Sequence, residues 1–365
     1  MSNQTLKEQG WEGFSGRMWE RARRSCVPIT GTFELTPLCN FSCRMCYVRL
    51  DKSELPLHGR LHTADEWLSL ARQAMEMGTY HITLTGGEAL TRPDFEDIYT
   101  GLIEMGILTS VLSNASLITE ETVRLFQTYQ PRKLRFTLYG GSNATYERLC
   151  GAPNGFDRVM RSLHLLKEGR VPFSLSFTAT KENVNDLDAV LDIAKVLGVG
   201  VGVTANIHSP VRGAKSEAEE LRLDNAEIPS IGRPIDNDRP DPRSAAASAP
   251  DQRTDLFARC KEYRTSFFVC WNGLMETCAY MSSNATRPFE EGFETAWRRL
   301  HENLSRLQVP TQCASCEAAH ICPVCPGLRE SETGSPIGIP EHVCNNVRAR
   351  YTARMQGASK GGETQ

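Results

Sequence analysis

Long apolar runs are the first thing missing from this 365-residue chain. No stretch approaches the roughly 20 apolar residues that span a bilayer. The N-terminus, MSNQTLKEQGWEGFSGRMWERARRSC, holds no apolar segment of signal-peptide length. The sequence therefore predicts a cytoplasmic protein with no membrane partner. An excess of one charge is missing too. With 41 basic and 44 acidic residues the formal net charge is −3, which argues against a nucleic-acid footprint. There is no internal repeat beyond a strand–helix unit. What is abundant is cysteine, with thirteen in all. An odd count without a secretory signal speaks against a disulfide framework, since cytosolic thiols stay reduced. Metal or cluster ligation is the better reading. Three cysteines fall at 39–46 and eight between Cys260 and Cys344, while Cys26 and Cys150 stand alone as small hydrophobes.

From Thr30 to Ile207, period-2 segments alternate with helix-like runs. The segments are TGTFELT, HITLT, TSVLSN, KLRFTLY, FSLSFTAT and VGVTANI, of which TSVLSN is the least regular. A helix is expected from Thr63, where Glu66 completes a capping-box pattern, to the stop at Gly78. Further helices are expected in PDFEDIYTGLIEMG, EETVRLFQTY, FDRVMRSLHLLKEG and DLDAVLDIAKVLG. This alternation predicts an α/β chain with a parallel sheet. Parallel strands normally bury both faces, yet these keep one face polar, with Glu34, Arg135 and Tyr139 on it. A curled sheet with helices outside turns that face into a wet interior. The expected fold is a partial (β/α)6 TIM-like barrel, open on one side, with a small cysteine-rich C-terminal domain. AKSEAEELRLDNAEI reads as an amphipathic helix, and the Pro- and Ser-rich stretch after it as a flexible linker. The boundaries read as an N-terminal extension over 1–29, a barrel over 30–212, a linker or insertion over 213–257, a cysteine-rich domain over 258–350 and a disordered tail over 351–365.

The cysteine trio sits in LCNFSCRMCY, directly after the first strand, where parallel barrels build their active face. Cys39-x3-Cys43-x2-Cys46 followed by Tyr47 resembles the signature of the radical S-adenosylmethionine (SAM) superfamily. That resemblance implies three thiolates on a [4Fe–4S] cluster whose fourth iron is left to SAM. It also implies reductive cleavage of SAM to a 5′-deoxyadenosyl radical. A zinc site completed by His58 or His62 is the alternative. LTGGEAL places Gly86, Gly87 and Glu88 at the end of the second strand, similar to the family's Gly-Gly-Glu element that binds the SAM ammonium. Ser113 and Asn114 match a ribose- and carboxylate-contacting position. Arg148 falls where relatives pair an arginine with the SAM carboxylate.

The C-terminal cysteines run Cys260-x12-Gly273-x4-Cys278, Cys313-x2-Cys316-x5-Cys322-x2-Cys325 and Cys344. They resemble the SPASM extension of peptide-modifying radical SAM enzymes, which carries auxiliary [4Fe–4S] clusters. The family usually separates the last pair by three residues, and here the separation is two. The resemblance implies one cluster on Cys313, Cys316, Cys322 and Cys344 and a second on Cys260, Cys278 and Cys325. Zinc ribbons are the alternative for such pairs. FFVCWNGLMETC reads as a hairpin with a two-residue Asn272-Gly273 turn. That turn pairs Trp271 with Leu274 and Phe267 with Cys278, and points Cys270 away from Cys278. On this register Cys270 is not a ligand.

The expected activity is hydrogen abstraction from a ribosomally made peptide, giving a crosslink or an inverted α-carbon. The implied partners are a precursor peptide and an electron donor such as flavodoxin or ferredoxin. About 29 residues before the barrel are too few for a folded leader-binding domain. One rival is sulfatase maturation or a small-molecule cofactor pathway. Sulfatase maturases carry an Asp directly after the cysteine matching Cys278, where this chain has Ala279. The other rival is a non-enzymatic zinc module.

Overall fold

The computed structural model describes residues 11–223, 253–260, 262–341, 343–345, 347–349 and 351–352. Its strands are β1 Thr30–Glu34, β2 His81–Thr85, β3 Leu108–Ser113, β4 Lys133–Thr137, β5 Ser174–Thr178, β6 Val201–Thr204, β7 Ser266–Val269 and β8 Met275–Glu276. They form one curled sheet in the order β6-β5-β4-β3-β2-β1-β7-β8. Every pairing is parallel except that of β7 with β8. The helices before β7 are α1 Trp11–Ser25, α2 Leu55–His58, α3 Ala64–Glu76, α4 Phe95–Glu104, α5 Glu120–Thr128, α6 Asn143–Cys150, α7 Gly155–Glu168 and α8 Leu187–Leu197. After β8 come α9 Pro288–Glu291, α10 Phe293–Ser305, α11 Thr311–Ala314 and α12 Pro326–Thr333.

Alternation decides which face meets the helices. Phe33, Leu35, Ile82, Leu84, Leu134, Phe136, Leu175 and Phe177 are fully buried. Phe33 packs its ring 4.7 Å from that of Trp67 on α3. The opposite face is polar and hydrogen-bonded across strands, as in Thr137 Oγ1 to Ser176 Oγ at 3.2 Å. The irregular β3 is explained by this arrangement. Val111 faces the helices, whereas Leu112 stays 40% exposed in mid-strand because it faces the hollow. Helix α3 begins as its sequence dictates, with the reciprocal Thr63–Glu66 capping box in place.

The six expected barrel strands are present as β1–β6, and the C-terminal region extends their sheet to eight, β7 adding to the free edge of β1 in the register Thr30↔Ser266 to Phe33↔Val269. An unpaired edge leaves a row of backbone donors and acceptors without partners, and the C-terminal region covers this one. A 2.7 Å bond between Thr30 Oγ1 and Ser266 Oγ reinforces the junction. One expectation is corrected: the helix expected in AKSEAEELRLDNAEI is not formed over 214–223, which holds turns instead. There Ala218, Leu221 and Leu223 are buried while Glu217 bonds Arg44, and these tertiary contacts override a modest helical preference. The Pro- and Ser-rich stretch over 224–252, and the tail beyond 352, lie outside the described residues.

The β1–β7 junction leaves no room at Gly31, where an added Cβ would fall 2.1 Å from the Phe267 ring. Phe267 is itself wedged between Phe33 and Phe293. Gly31→Val is expected to destabilise the fold by about 1–3 kcal/mol through overpacking, read as a lower denaturant midpoint at unchanged m-value.

Candidate active site

The cysteine loop leaves β1 and is pinned from two sides. Ser42 N and Arg44 N donate to the carbonyls of Cys150 and Leu149 at 2.8 and 2.9 Å. These last-turn acceptors of α6 would otherwise lack an intrahelical partner. On the other side Gly87 N donates to Thr36 O at 2.7 Å and Glu88 N to Leu38 O at 2.9 Å. This contact demands glycine. An added Cβ would lie 2.5 Å from Thr36 O at Gly86, and equally close to Leu38 O at Gly87.

Cys39, Cys43 and Cys46 line a cavity of about 280 Å³ at the C-terminal ends of the strands. Tyr47, Gly86, Gly87, Ser113 and Asn114 share its wall. Burial pushes the Cys39 thiol up to about 12 and the Cys46 thiol to about 11, with the neighbouring cysteines adding to both shifts. The Cys43 thiol is raised by its hydrogen bond to Cys150 and by burial, and Tyr139 offers it an opposing bond. Three thiols on one cavity wall are a donor set suited to an iron–sulfur cluster. Among the described residues, no three His, Cys, Asp or Glu side chains converge tightly enough to share one metal ion. A multi-iron cluster accepts more widely spaced sulfurs.

Glu88 and Arg148 are placed otherwise than expected. Glu88 does not line the cavity. It is buried behind the wall, where its carboxylate accepts from Ser113 Oγ at 3.0 Å, Asn114 N at 2.7 Å and Leu90 N at 3.0 Å. Burial raises its pKa and these donors oppose the shift. It acts as a bracket that fixes the Ser113–Asn114 segment, from which Asn114 Nδ2 reaches Cys39 Sγ at 3.6 Å. Arg148 lies on the outer face of α6, opposite the buried Tyr146 and Leu149. It pairs with Glu182 at 2.8 Å instead of facing the cavity.

Thr137, Tyr139, Thr178, Asn206, His208 and Tyr280 also line the cavity, beside apolar residues such as Phe41, Met45 and Ile207. Strand parity signals Thr137, Tyr139, Thr178 and Asn206 in the sequence. His208 and Tyr280 carry no such signal. They stack at 3.7 Å, and burial pushes the His208 pKa down to about 4, so its imidazole is neutral at physiological pH. A second cavity of about 460 Å³ lies at the opposite end of the strands and shares Leu112 with the first. Thr32, Thr83, Ser110, His81, Lys133, Arg135 and Cys278 line it. The interior thus holds two cavities, one at each end of the strands.

The C-terminal cysteines fall into two groups. Cys313, Cys316, Cys322 and Cys344 line one cavity together with Arg329. Cys260, Cys278 and Cys325 form the other group: burial raises the Cys260 and Cys278 thiols, and the neighbouring Cys325 adds to both shifts. The hairpin register differs from the expected one. Phe268 opposes Glu276 and Val269 opposes Met275, so the loop has three residues, Trp271–Gly273, with Gly273 at φ 86°. Cys270 therefore shares the face of Cys278, contrary to the two-residue-turn argument. It nonetheless sits apart from that group, because it lies near the loop end of the hairpin beside Glu276 and Arg212. Arg212 is itself buried between Glu34 at 2.8 Å and Glu276 at 3.5 Å.

Residues 33–194 match the Radical SAM superfamily. That segment is a radical SAM domain. The chain is 29% identical over 172 residues to an AdoMet-dependent heme synthase of Methanosarcina barkeri, covering 47% of this chain and 48% of the relative. A second AdoMet-dependent heme synthase, from Nitratidesulfovibrio vulgaris, is 20% identical over 88% of this chain and 93% of its own length. The sporulation killing factor maturation protein SkfB of Bacillus subtilis is 26% identical over 53% of this chain and 46% of its own. The chain thus spans about half the length of two of these curated relatives. Among solved structures, Streptococcus suis SuiB bound to precursor peptide SuiA superposes with a TM-score of 0.68 at 16% identity, covering 91% of this chain and 80% of SuiB. That likeness shows a shared fold.

Arg148→Ala is expected to leave SAM affinity within twofold of wild type in equilibrium dialysis, since the half-exposed Arg148–Glu182 pair contributes no more than about 1 kcal/mol to stability. Gly87→Ala is expected to push the cysteine loop off the cavity and to weaken SAM binding at least tenfold, equivalent to about 1.4 kcal/mol.

Proposed function

We propose that this radical SAM enzyme carries a SPASM-type C-terminal region and abstracts hydrogen from a residue of a ribosomally made peptide, forming a crosslink or inverting an α-carbon. The observation that carries this reading is the juxtaposition of the Cys39, Cys43 and Cys46 thiols with a hollow polar interior. Cys39, Cys43 and Cys46 would hold a [4Fe–4S] cluster, which would supply the electron for reductive cleavage of SAM to a 5′-deoxyadenosyl radical.

The protein's own part is binding, orientation and exclusion of water. Gly86 and Gly87 present backbone at the rim beside the cysteine loop, while Glu88 holds Ser113 and Asn114 against it. Tyr139 fixes the Cys43 side of the loop. Thr137, Thr178 and Asn206 line the path inward, which admits an extended segment or a side chain but not a folded domain. Cys313, Cys316, Cys322 and Cys344 would hold one auxiliary cluster. Cys260, Cys278 and Cys325 would hold another with an iron left open, Cys270 being engaged elsewhere. Such clusters would take up the second electron of an oxidative crosslink, with a flavodoxin or ferredoxin priming the first site. A peptide substrate is supported by the precursor peptide bound to SuiB and by the maturation role in the name of SkfB.

A second reading, a small carboxylate-bearing molecule, is favoured by the nearly end-to-end alignment with a heme synthase. The rim of the lower cavity, formed by His81, Arg132, Lys133 and Arg135, also supports it.

Anaerobic co-expression with small peptides encoded beside the gene, followed by intact-mass measurement, separates the two. Loss of two hydrogens from one peptide, or deuterium gained from heavy water, is expected with wild type and not with Cys43→Ala. No mass change in any peptide, while the purified protein still turns SAM into 5′-deoxyadenosine under dithionite, would reject the peptide substrate and leave the small molecule.

A further inference from the structure

The side chain that enters the four-cysteine cavity with the thiols is a buried cation. Arg329 is 3% exposed and projects from α12. Its Nη1 donates to Gly338 O at 2.7 Å and its Nη2 to Cys313 Sγ at 3.1 Å, while Nε meets no partner. Removing a guanidinium from water costs several kcal/mol unless an opposite charge compensates it. Among the described residues no carboxylate does so. On the same helix Glu330 is turned to Ser282 and Ser283, and Glu332 to Arg222. Among the described residues the negative charge on offer to Arg329 is that of Cys313, Cys316, Cys322 and Cys344 once they are ionised. The other cation of this cavity, Arg348, is exposed. At the first site the nearby cation Arg44 is drawn outward by Glu182 and Glu217. Among the described residues, the buried guanidinium bonded to a sulfur is the one at the four-cysteine site.

We propose that Arg329 is the counter-cation of the four-cysteine site and raises the reduction potential of the cluster held there, making it the electron acceptor among the sites of this enzyme. The proposal rests on the cluster assignment made above. A cluster on four thiolates is anionic and gains further negative charge on reduction. A buried positive charge, together with a hydrogen bond to one sulfur, stabilises the reduced form more than the oxidised one. The electron is taken from the cysteine-bound iron–sulfur unit nearer the barrel or from the substrate radical. Arg329 itself changes neither bonding nor protonation.

The test is an anaerobic redox titration followed by electron paramagnetic resonance, in a Cys43→Ala, Cys278→Ala background that isolates this site. Arg329→Gln is expected to lower the midpoint so that the reduced-to-oxidised ratio at a fixed potential drops at least tenfold, which is 59 mV for one electron. Arg329→Lys, which keeps the charge, is expected to recover most of that change. Should the Gln variant fail to hold iron while the Lys variant holds it at the parent potential, the requirement for charge stands. A Gln variant with full iron and the parent midpoint would overturn the proposal, as would loss of iron from both variants. If the background protein binds no iron–sulfur cluster before any change at Arg329, the underlying assignment has failed instead.

Discussion

Everything in this molecule depends on the parallel pairing of β1 with β7. β1 carries the cysteine loop at its C-terminal end, and β7 leads into the hairpin and on to Cys278. Pairing Phe33 with Val269 and Thr30 with Ser266 therefore sets the spacing between the first cysteine site and the C-terminal ones. Gly31 makes the pairing possible by giving Phe267 room beneath the sheet. The same junction turns Thr30 and Thr32 of β1 and Ser266 and Phe268 of β7 toward one hollow. Cys278 consequently lines the lower cavity of the barrel that holds the trio at its top.

A second constraint acts through α12. Cys325 is its N-cap, Arg329 reaches Cys313, and Glu330 accepts from the backbone of Ser282 and Ser283 just beyond Cys278. One short helix thus braces both cysteine groups. Gly327 lets it approach, since a Cβ there would lie 2.8 Å from Cys278 Sγ. Relative placement of redox centres governs electron flow, and a rigid strut with buried ends holds that placement better than a loop.

Much of the site was legible before any coordinates. The trio and the Gly-Gly pair are local in sequence, and their loops follow strands that period-2 patterning locates. Glu88 was legible as a residue but not as a role. Whether a carboxylate faces a ligand or braces a neighbouring strand depends on Ser113 and Asn114, 25 and 26 residues away. Arg148 was misplaced for a related reason: the outer face of α6 is defined by what the helix packs against. The hairpin turned on one residue. A three-residue loop with Gly273 at positive φ inverts the face of Cys270 relative to a two-residue turn, and Asn-Gly permits either.

The sequence by itself determined the strand–helix alternation, the wet inner face, the cysteine loop and the chemistry of its donors. These follow from nearest-neighbour patterning and from residue type. The tertiary structure alone decided that β7 closes onto β1, that thirteen cysteines sort into distinct neighbourhoods, and that Cys150 lies beside Cys43. It also decided that a buried arginine joins one group of thiols. Each of these is a contact between residues distant along the chain, fixed by burial and by the need to satisfy polar groups in the interior, which no local pattern encodes.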